Sequence, residues 1–305
     1  MNTIKNFVLF LFSVAIAAGC NKASYKKTPG GMAYQVFRGK DTQQIRPGSF
    51  VKVHLVQKIK DSVYYSTQGN LPIFLQVNES PQPYDIAEIW TSLRVGDSAI
   101  TTQMMDTFIK RAPQNIAPGF KKGDRIITYI KVLGVYANDS LARVDDQNAK
   151  KLWMENEVRF IEKYLADNKI TAQKTPAGAF VEILNPGIGN LIDSGNYISI
   201  NYTGTTFAGV KFDSSTDTTF HHVEPYSFQA LSGMMIKGFD DALRFLRPGS
   251  KARIYIPSVL GYGGNPNSPL IKPYENLKFD VEIVKVELKA PGARPGPPSV
   301  SMPGQ

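Results

Sequence analysis

Tyr197-Ile198-Ser199-Ile200-Asn201-Tyr202, then Phe212-Asp213-Ser214-Ser215, then Met235-Ile236-Lys237-Gly238-Phe239: these runs, within one stretch covering 197–288, decide the fold. Alternation over 197–202 puts Ile198, Ile200 and Tyr202 on one face of a strand and Ser199 and Asn201 on the other, so the strand has one buried face. Phe239, Ala242, Leu243 and Leu246 recur at i, i+3, i+4 and i+7, which predicts a short helix ending at Pro248-Gly249 and able to lie across the sheet. Arg253-Ile254-Tyr255-Ile256-Pro257 follows, then a Gly/Asn/Pro loop over 261–273 holding Tyr262 and Ile271, and a last strand over 277–288. Aromatic side chains are spread over strands, helix and loop, and a single carboxylate, Asp213, interrupts the apolar pattern.

The same patterns recur upstream. Pro29 and Pro176 stand 147 apart (176 − 29), and so do Gly31 and Gly178, Val51 and Ile198, and Val53 and Ile200. A fixed offset of this kind marks an internal repeat. Ile86, Ile89, Trp90 and Leu93 reproduce the helix pattern of Phe239, Ala242, Leu243 and Leu246 at 153 (239 − 86), a difference that loops absorb. Near the end of each copy an alternating strand slips phase, at Leu133 and at Val284, which is how a bulge reads in sequence.

A length of 305 residues provides for about two domains, each with its own core. The net charge of +9 comes from scattered pairs such as Lys26-Lys27 and Lys150-Lys151, with no basic run or aromatic-interleaved stripe. A solvated basic surface is expected, and no nucleic-acid partner. Lys5 precedes an apolar run over 7–18, shorter than the roughly 20 residues a bilayer needs, so 1–19 reads as an export signal. Ala17-Ala18-Gly19-Cys20 resembles a bacterial lipobox, and Cys20, the only cysteine, has no disulfide partner. It is expected to carry lipid. Between the copies, Asn138-Asp139-Ser140 offers caps to a helix reaching about Asn168, with Met154, Val158, Ile161 and Leu165 at helical spacing. Two uses stay open for it: a spacer packed by that stripe, or an arm that dimerises the chain or holds other polypeptides through Trp153, Phe160 and Tyr164. The expected organisation is a signal peptide (1–19), a first copy (28–138), a connecting helix (139–170), a second copy (171–290) and a disordered Pro/Gly-rich tail (291–305).

Taken together, Asn-Tyr-Thr-Gly (201–204), Lys-Phe-Asp-Ser-Ser (211–215), Ile-Lys-Gly-Phe (236–239), Gly-Tyr-Gly (261–263) and Phe-Asp-Val-Glu (279–282) resemble, in order and spacing, an FKBP-type peptidyl-prolyl cis-trans isomerase domain, of the macrolide-binding immunophilins. The resemblance covers roughly the last third of the chain closely. It implies an α+β fold of two FKBP-like domains, each an antiparallel sheet curved over a short helix, joined by a long helix. Rotation about an X-Pro bond faces a barrier of about 18–20 kcal/mol and breaks no covalent bond. Such an enzyme needs no cofactor, metal or nucleophile, only a site that binds the twisted amide better than the planar one.

By resemblance, Phe239 forms the floor of an aromatic bowl and Tyr202, Phe212 and Phe279 its walls. Tyr226, Met235, Ile236 and Ile271 complete the rim, and Phe228 joins them as a substrate-binding residue. Asp213 would anchor tyrosine hydroxyls and face the reacting carbonyl, while the Tyr262 hydroxyl and the Ile236 backbone N–H would hold substrate carbonyls. The floor position most often holds Trp in this family and holds Phe239 here. The loop 217–225 is enlarged, and its His221-His222 is read as exposed, with no metal-ligand spacing. In the first copy the offset of 147 sets Leu55 at the place of Tyr202 and Ser66 at that of Asp213, and Thr128 replaces Phe279, so that copy is expected to be a scaffold. The implied substrates are proline-containing unfolded or partly folded exported polypeptides. They would be met in the cell envelope from a lipid anchor at Cys20, on the periplasmic face of the outer membrane. The alternative is a chaperone or holdase that binds exported chains with little catalysis.

Overall fold

The computed structural model describes residues 25–60, 62–116, 119–266 and 268–288; the expected signal peptide, Cys20 and the tail lie outside them. The described residues fall into two compact units, one within Met1–Ser66 and Leu75–Ala137, the other within Thr67–Phe74 and Asn138–Gln305. The first sheet contains β1 (Lys26–Lys27), β2 (Ala33–Phe37), β3 (Phe50–Ile59), β4 (Ser62–Ser66), β5 (Ile73–Gln76), β6 (Ser98–Met104) and β7 (Arg125–Tyr136), with the helix α1 (Met105–Arg111) after β6. Its strand order is β1-β2-β6-β7-β3-β4, and β5 also pairs β3. After the helix α2 (Asp139–Asp167), the second sheet uses β8 (Gln173–Lys174), β9 (Phe180–Asn185), β10 (Tyr197–Thr206), β11 (Lys211–Ser214), β12 (Tyr226–Gln229), β13 (Lys251–Ile256) and β14 (Leu277–Glu287). Its order, β11-β10-β14-β13-β9-β8 with β12 on β10, is the first order read from the other end. In both units the last strand inserts at mid-sheet.

The repeat extends to individual hydrogen bonds. Thr28 N–H donates to Met32 O as Thr175 N–H does to Ala179 O, and Ile45 N–H donates to Leu93 O as Ile192 N–H does to Leu246 O. The register passes from Lys52–Gly134 to Val53–Val132, and from Ser199–Lys285 to Ile200–Ile283. Leu133 and Val284 are therefore the bulged residues, and both are exposed.

Alternation in β10, β13 and β14 turns Ile198, Ile200, Ala252, Ile254, Val281 and Ile283 to the inner face, where they pack with Phe239, Ala242, Leu243 and Leu246. Those four lie on α3 (Lys237–Ala242), the 3-10 turn Leu243–Phe245 and the residue after it. Gly238 lets this segment come close, because a Cβ there would meet Ile256 Cγ2 at 2.5 Å. At mid-sheet each fully buried aliphatic side chain contributes about 1.5–3 kcal/mol.

The outer face of the second sheet is covered too. Asn138 caps α2, accepting from Leu141 N–H at 3.0 Å, and Val158, Ile161 and Leu165 lie on Phe180 and Tyr255. Phe160 and Tyr164 meet Phe207 at 5.5 and 5.0 Å, and Trp153 meets Tyr274 at 5.3 Å. The rings read as candidates for holding other polypeptides are thus engaged with their own unit.

One tether recurs in both units: Gly30 N–H donates to Glu88 Oε1 (2.7 Å), and Ala177 N–H to Asp241 Oδ2 (2.9 Å). Burial pushes the Glu88 pKa up, but donors at Thr28, Gly30 and Tyr84 outweigh it and hold the carboxyl below its usual 4.5. A depressed carboxylate pKa contributes stability above its unfolded value and loses it as the pH falls through the folded one. Glu88→Gln is expected to destabilise the first unit by about 1–3 kcal/mol at pH 7. The gap between the melting temperatures of variant and wild type should narrow as the pH falls out of the ordinary carboxylate range and through the folded pKa of Glu88; a gap unchanged across that range would contradict this account.

Candidate active site

At one end of the second sheet's inner face, Gly204 pairs with Phe279 on β14 and with Asp213 on β11. A Cβ on Gly204 would stand 2.6 Å from the Phe212 ring and 3.0 Å from Phe279. Its absence lets these rings meet edge to face at 5.6 Å and 81°. Around them, Phe239 meets Phe279 at 5.3 Å, Tyr262 meets Phe212 at 6.4 Å, Tyr202 meets Phe279 at 6.5 Å and Tyr226 meets Tyr202 at 6.4 Å. Ile271, Met235 and Ile236 pack on the same cluster, Ile271 buried and the other two partly so.

Two predicted residues do not lie at the surface of this bowl. Phe228 is a correction to the sequence reading: it is 1 % exposed, pairs with Ile198 and belongs to the core. The two-residue period places Tyr226 and Phe228 on one face but says nothing of depth, and only Tyr226 reaches the edge. Phe239 is also wholly buried and supports Phe279 as part of the packing below the bowl.

Asp213 closes the polar edge. Tyr202 Oη donates to its Oδ2 at 2.7 Å, and His222 Nε2 stands 2.9 Å from its Oδ1. Burial, then the hydrogen bond to Asp213, pushes the Tyr202 pKa far above the usual tyrosine value, so the phenol stays a donor. Ile236 precedes α3 with extended backbone; its carbonyl accepts from Phe239 and Asp240, while its N–H has no acceptor among the described residues. That N–H is available to a ligand carbonyl. Among the described residues, no group of His, Cys, Asp and Glu could hold a metal ion.

His221 and His222 are exposed, as the sequence reading has them, but that reading does not show the contact of His222 with Asp213. Asp217 pairs with Lys211 and caps the 3-10 turn Thr218–Phe220, accepting from Thr219 N–H at 3.0 Å. His221 then takes a left-handed conformation, φ 60°, and turns the chain so that His222 reaches back to Asp213. The available signal was the Asp-Thr-Thr capping pattern, which marks the turn but not the aim of the residue after it.

The first unit lacks this arrangement. Its register places Tyr65, not Ser66, opposite Gln57, where Asp213 stands opposite Gly204. The β3–β4 connection is one residue shorter, so a constant offset fails beyond it. Thr101, Gln103 and Thr128 are buried at positions held by Ile254, Ile256 and Phe279 in the second unit. Gln57 Nε2 donates to Thr128 Oγ1 at 3.3 Å and Gln103 Nε2 to Tyr84 O at 2.6 Å. The end of that inner face is polar where the second unit has rings.

A family described as FKBP-type peptidyl-prolyl cis-trans isomerase matches residues 189–284. The chain is 36% identical over 109 residues to the FK506-binding protein of Neisseria meningitidis serogroup B, covering 36% of this chain and 96% of that one. It is 34% identical over 111 residues to the peptidyl-prolyl cis-trans isomerase Fkbp12 of Drosophila melanogaster, covering 36% of this chain and 99% of the fly protein. Among solved structures, a peptidyl-prolyl cis-trans isomerase from Pseudomonas syringae aligns with a TM-score of 0.36 at 28% identity, over 43% of this chain and 94% of that one. The site lies inside the matched segment, and the chain belongs to the FKBP-type peptidyl-prolyl cis-trans isomerase family.

Proposed function

We propose that the second unit alone carries the isomerase activity, acting on proline-containing exported polypeptides, and that a lipid on Cys20 holds the chain at a membrane of the cell envelope. The observation that carries the first part is the contrast of inner faces. Rings gather around Gly204 in one unit, and Gln57, Thr101 and Thr128 fill the matching place in the other. A twisted amide has less charge separation than a planar one, so a dry aromatic bowl binds it relatively better, and the proline ring supplies the shape that fits. The Ile236 N–H and the Tyr262 phenol hold carbonyls on either side of the turning bond. Asp213, fixed by Tyr202 and His222, keeps the tyrosine ring in place and presents a fixed polar edge to the reacting carbonyl. The export reading is supported by the apolar run over 7–18 and by Cys20 as the only cysteine.

In the full-length chain, Asp213→Ala should lower kcat/KM for a proline peptide at least tenfold, roughly 1.4 kcal/mol, whereas Thr128→Val in the first unit should leave it unchanged. A folded Asp213→Ala chain with wild-type activity would place the chemistry elsewhere. His222→Leu should cost about three- to fivefold, under roughly 1 kcal/mol, and His222→Gln, which can still donate to Oδ1, less than twofold. Equal losses in the two variants would mean that the loop matters and the hydrogen bond does not. For the anchor, wild type should enter the detergent phase on partition and Cys20→Ser the aqueous phase. Wild type cleaved elsewhere than before Cys20 would refute it.

A further inference from the structure

Helix α2 lies outside the matched segment 189–284, yet it touches the loop that carries two residues of the site. Glu157 is a carboxylate in the middle of this helix and is only 7 % exposed. It accepts from Trp153 Nε1 at 2.8 Å on its own helix and is approached at 3.5 Å by Val259 N–H from the loop 257–276. Burying a carboxylate is costly unless donors meet it, and here donors come from both sides. The Trp153 ring also meets Tyr274, near the far end of the same loop, at 5.3 Å.

Inside the loop these two contacts lead to Tyr262. Ser258, next to Val259, accepts from both Gly261 N–H and Gly263 N–H at 2.9 Å, so the residues on either side of Tyr262 hang on one carbonyl. Tyr274 N–H donates to Gly263 O at 2.7 Å, and a Cβ on Gly264 would press on the Tyr274 ring, 3.0 Å from its hydroxyl. Ser258 N–H donates to Asn276 Oδ1 at 2.9 Å and closes the loop at its base. A shift of Val259 or of Tyr274 is therefore passed to Tyr262 through two hydrogen bonds at most.

We infer that Glu157 and Trp153 are positioning residues: α2 clamps the loop 257–276 at two points and so sets where Tyr262 stands in the isomerase site. The inference rests on the proposed role of that residue. It deepens that reading by making a helix outside the family segment part of the working enzyme.

The test uses the full-length chain and two readouts. In Glu157→Ala, amide hydrogen exchange at 261–264 should speed up at least tenfold while β10 and β14 are unchanged, and kcat/KM should fall about fivefold. Trp153→Phe keeps a ring against Tyr274 and loses the N–H, and should show the same changes at about half the size. Placed on a Tyr262→Phe background, Glu157→Ala should cost less than twofold, because its effect passes through Tyr262; a general loss of folding would cost the same factor in both backgrounds. Unchanged exchange at 261–264 in both variants, or equal losses in the two backgrounds, overturns the clamp. If wild type fails to isomerise peptides, the functional proposal falls, and the exchange measurement still decides whether α2 holds the loop.

Discussion

An antiparallel sheet has two faces, and the second sheet of this chain has to bury both. Many such sheets leave one face to water, but β13 turns Ile254 and Ile256 inward and Tyr255 outward, all three wholly buried. Short helical segments around Leu243 cover the inner face and the long α2 covers the outer one. The bowl is where the inner cover ends: Gly204 leaves room for Phe212 and Phe279, and the core continues to the surface as rings. Phe279 is thus a wall of the site and a core residue at once. Truncating it would cost about 3–5 kcal/mol of stability, so a loss of activity there would not separate chemistry from folding. Asp213 and His222, at the polar edge, allow that separation.

The two units show which parts of the fold are scaffold. The turn at Thr28 or Thr175, the bulge at Leu133 or Val284 and the tether to Glu88 or Asp241 recur in both. None of them is among the residues proposed for the site. What differs is a handful of inner-face side chains, and in the first unit most of the polar groups there find partners, as burial requires. Scaffold and chemistry are set by different residues on the same strands. One copy can then lose the rings without losing the sheet.

Much of this was legible in the sequence because it is periodic. The constant offsets located the repeat, alternation located the inner face, and the phase slips located both bulges. What stayed hidden has no period. Phe228 shares a strand face with Tyr226, and depth along that face follows from how the sheet curves over its helix. Tyr65 stands where a constant offset put Ser66, because one residue fewer in a hairpin shifts every later pairing. The stripe Met154, Val158, Ile161 and Leu165 foretold a buried side of α2 but could not name its partner. The aim of His222 depends on a left-handed residue before it, which composition does not signal.

The polar edge of the site fits the proposed reaction. No bond is made or broken, so no group there has to gain or lose a proton. The geometry agrees: the Tyr202 phenol is held protonated by burial and by Asp213, and the carboxylate has a donor or partner on each oxygen. The Asp213 side chain is still 37 % exposed, so water shares its charge with these two partners. On the proposed reading the rings, with Phe212 and Phe279 nearly buried, offer a proline an environment of low polarity with one fixed charged group at its margin. The His222 contact bears on where that charged group stands.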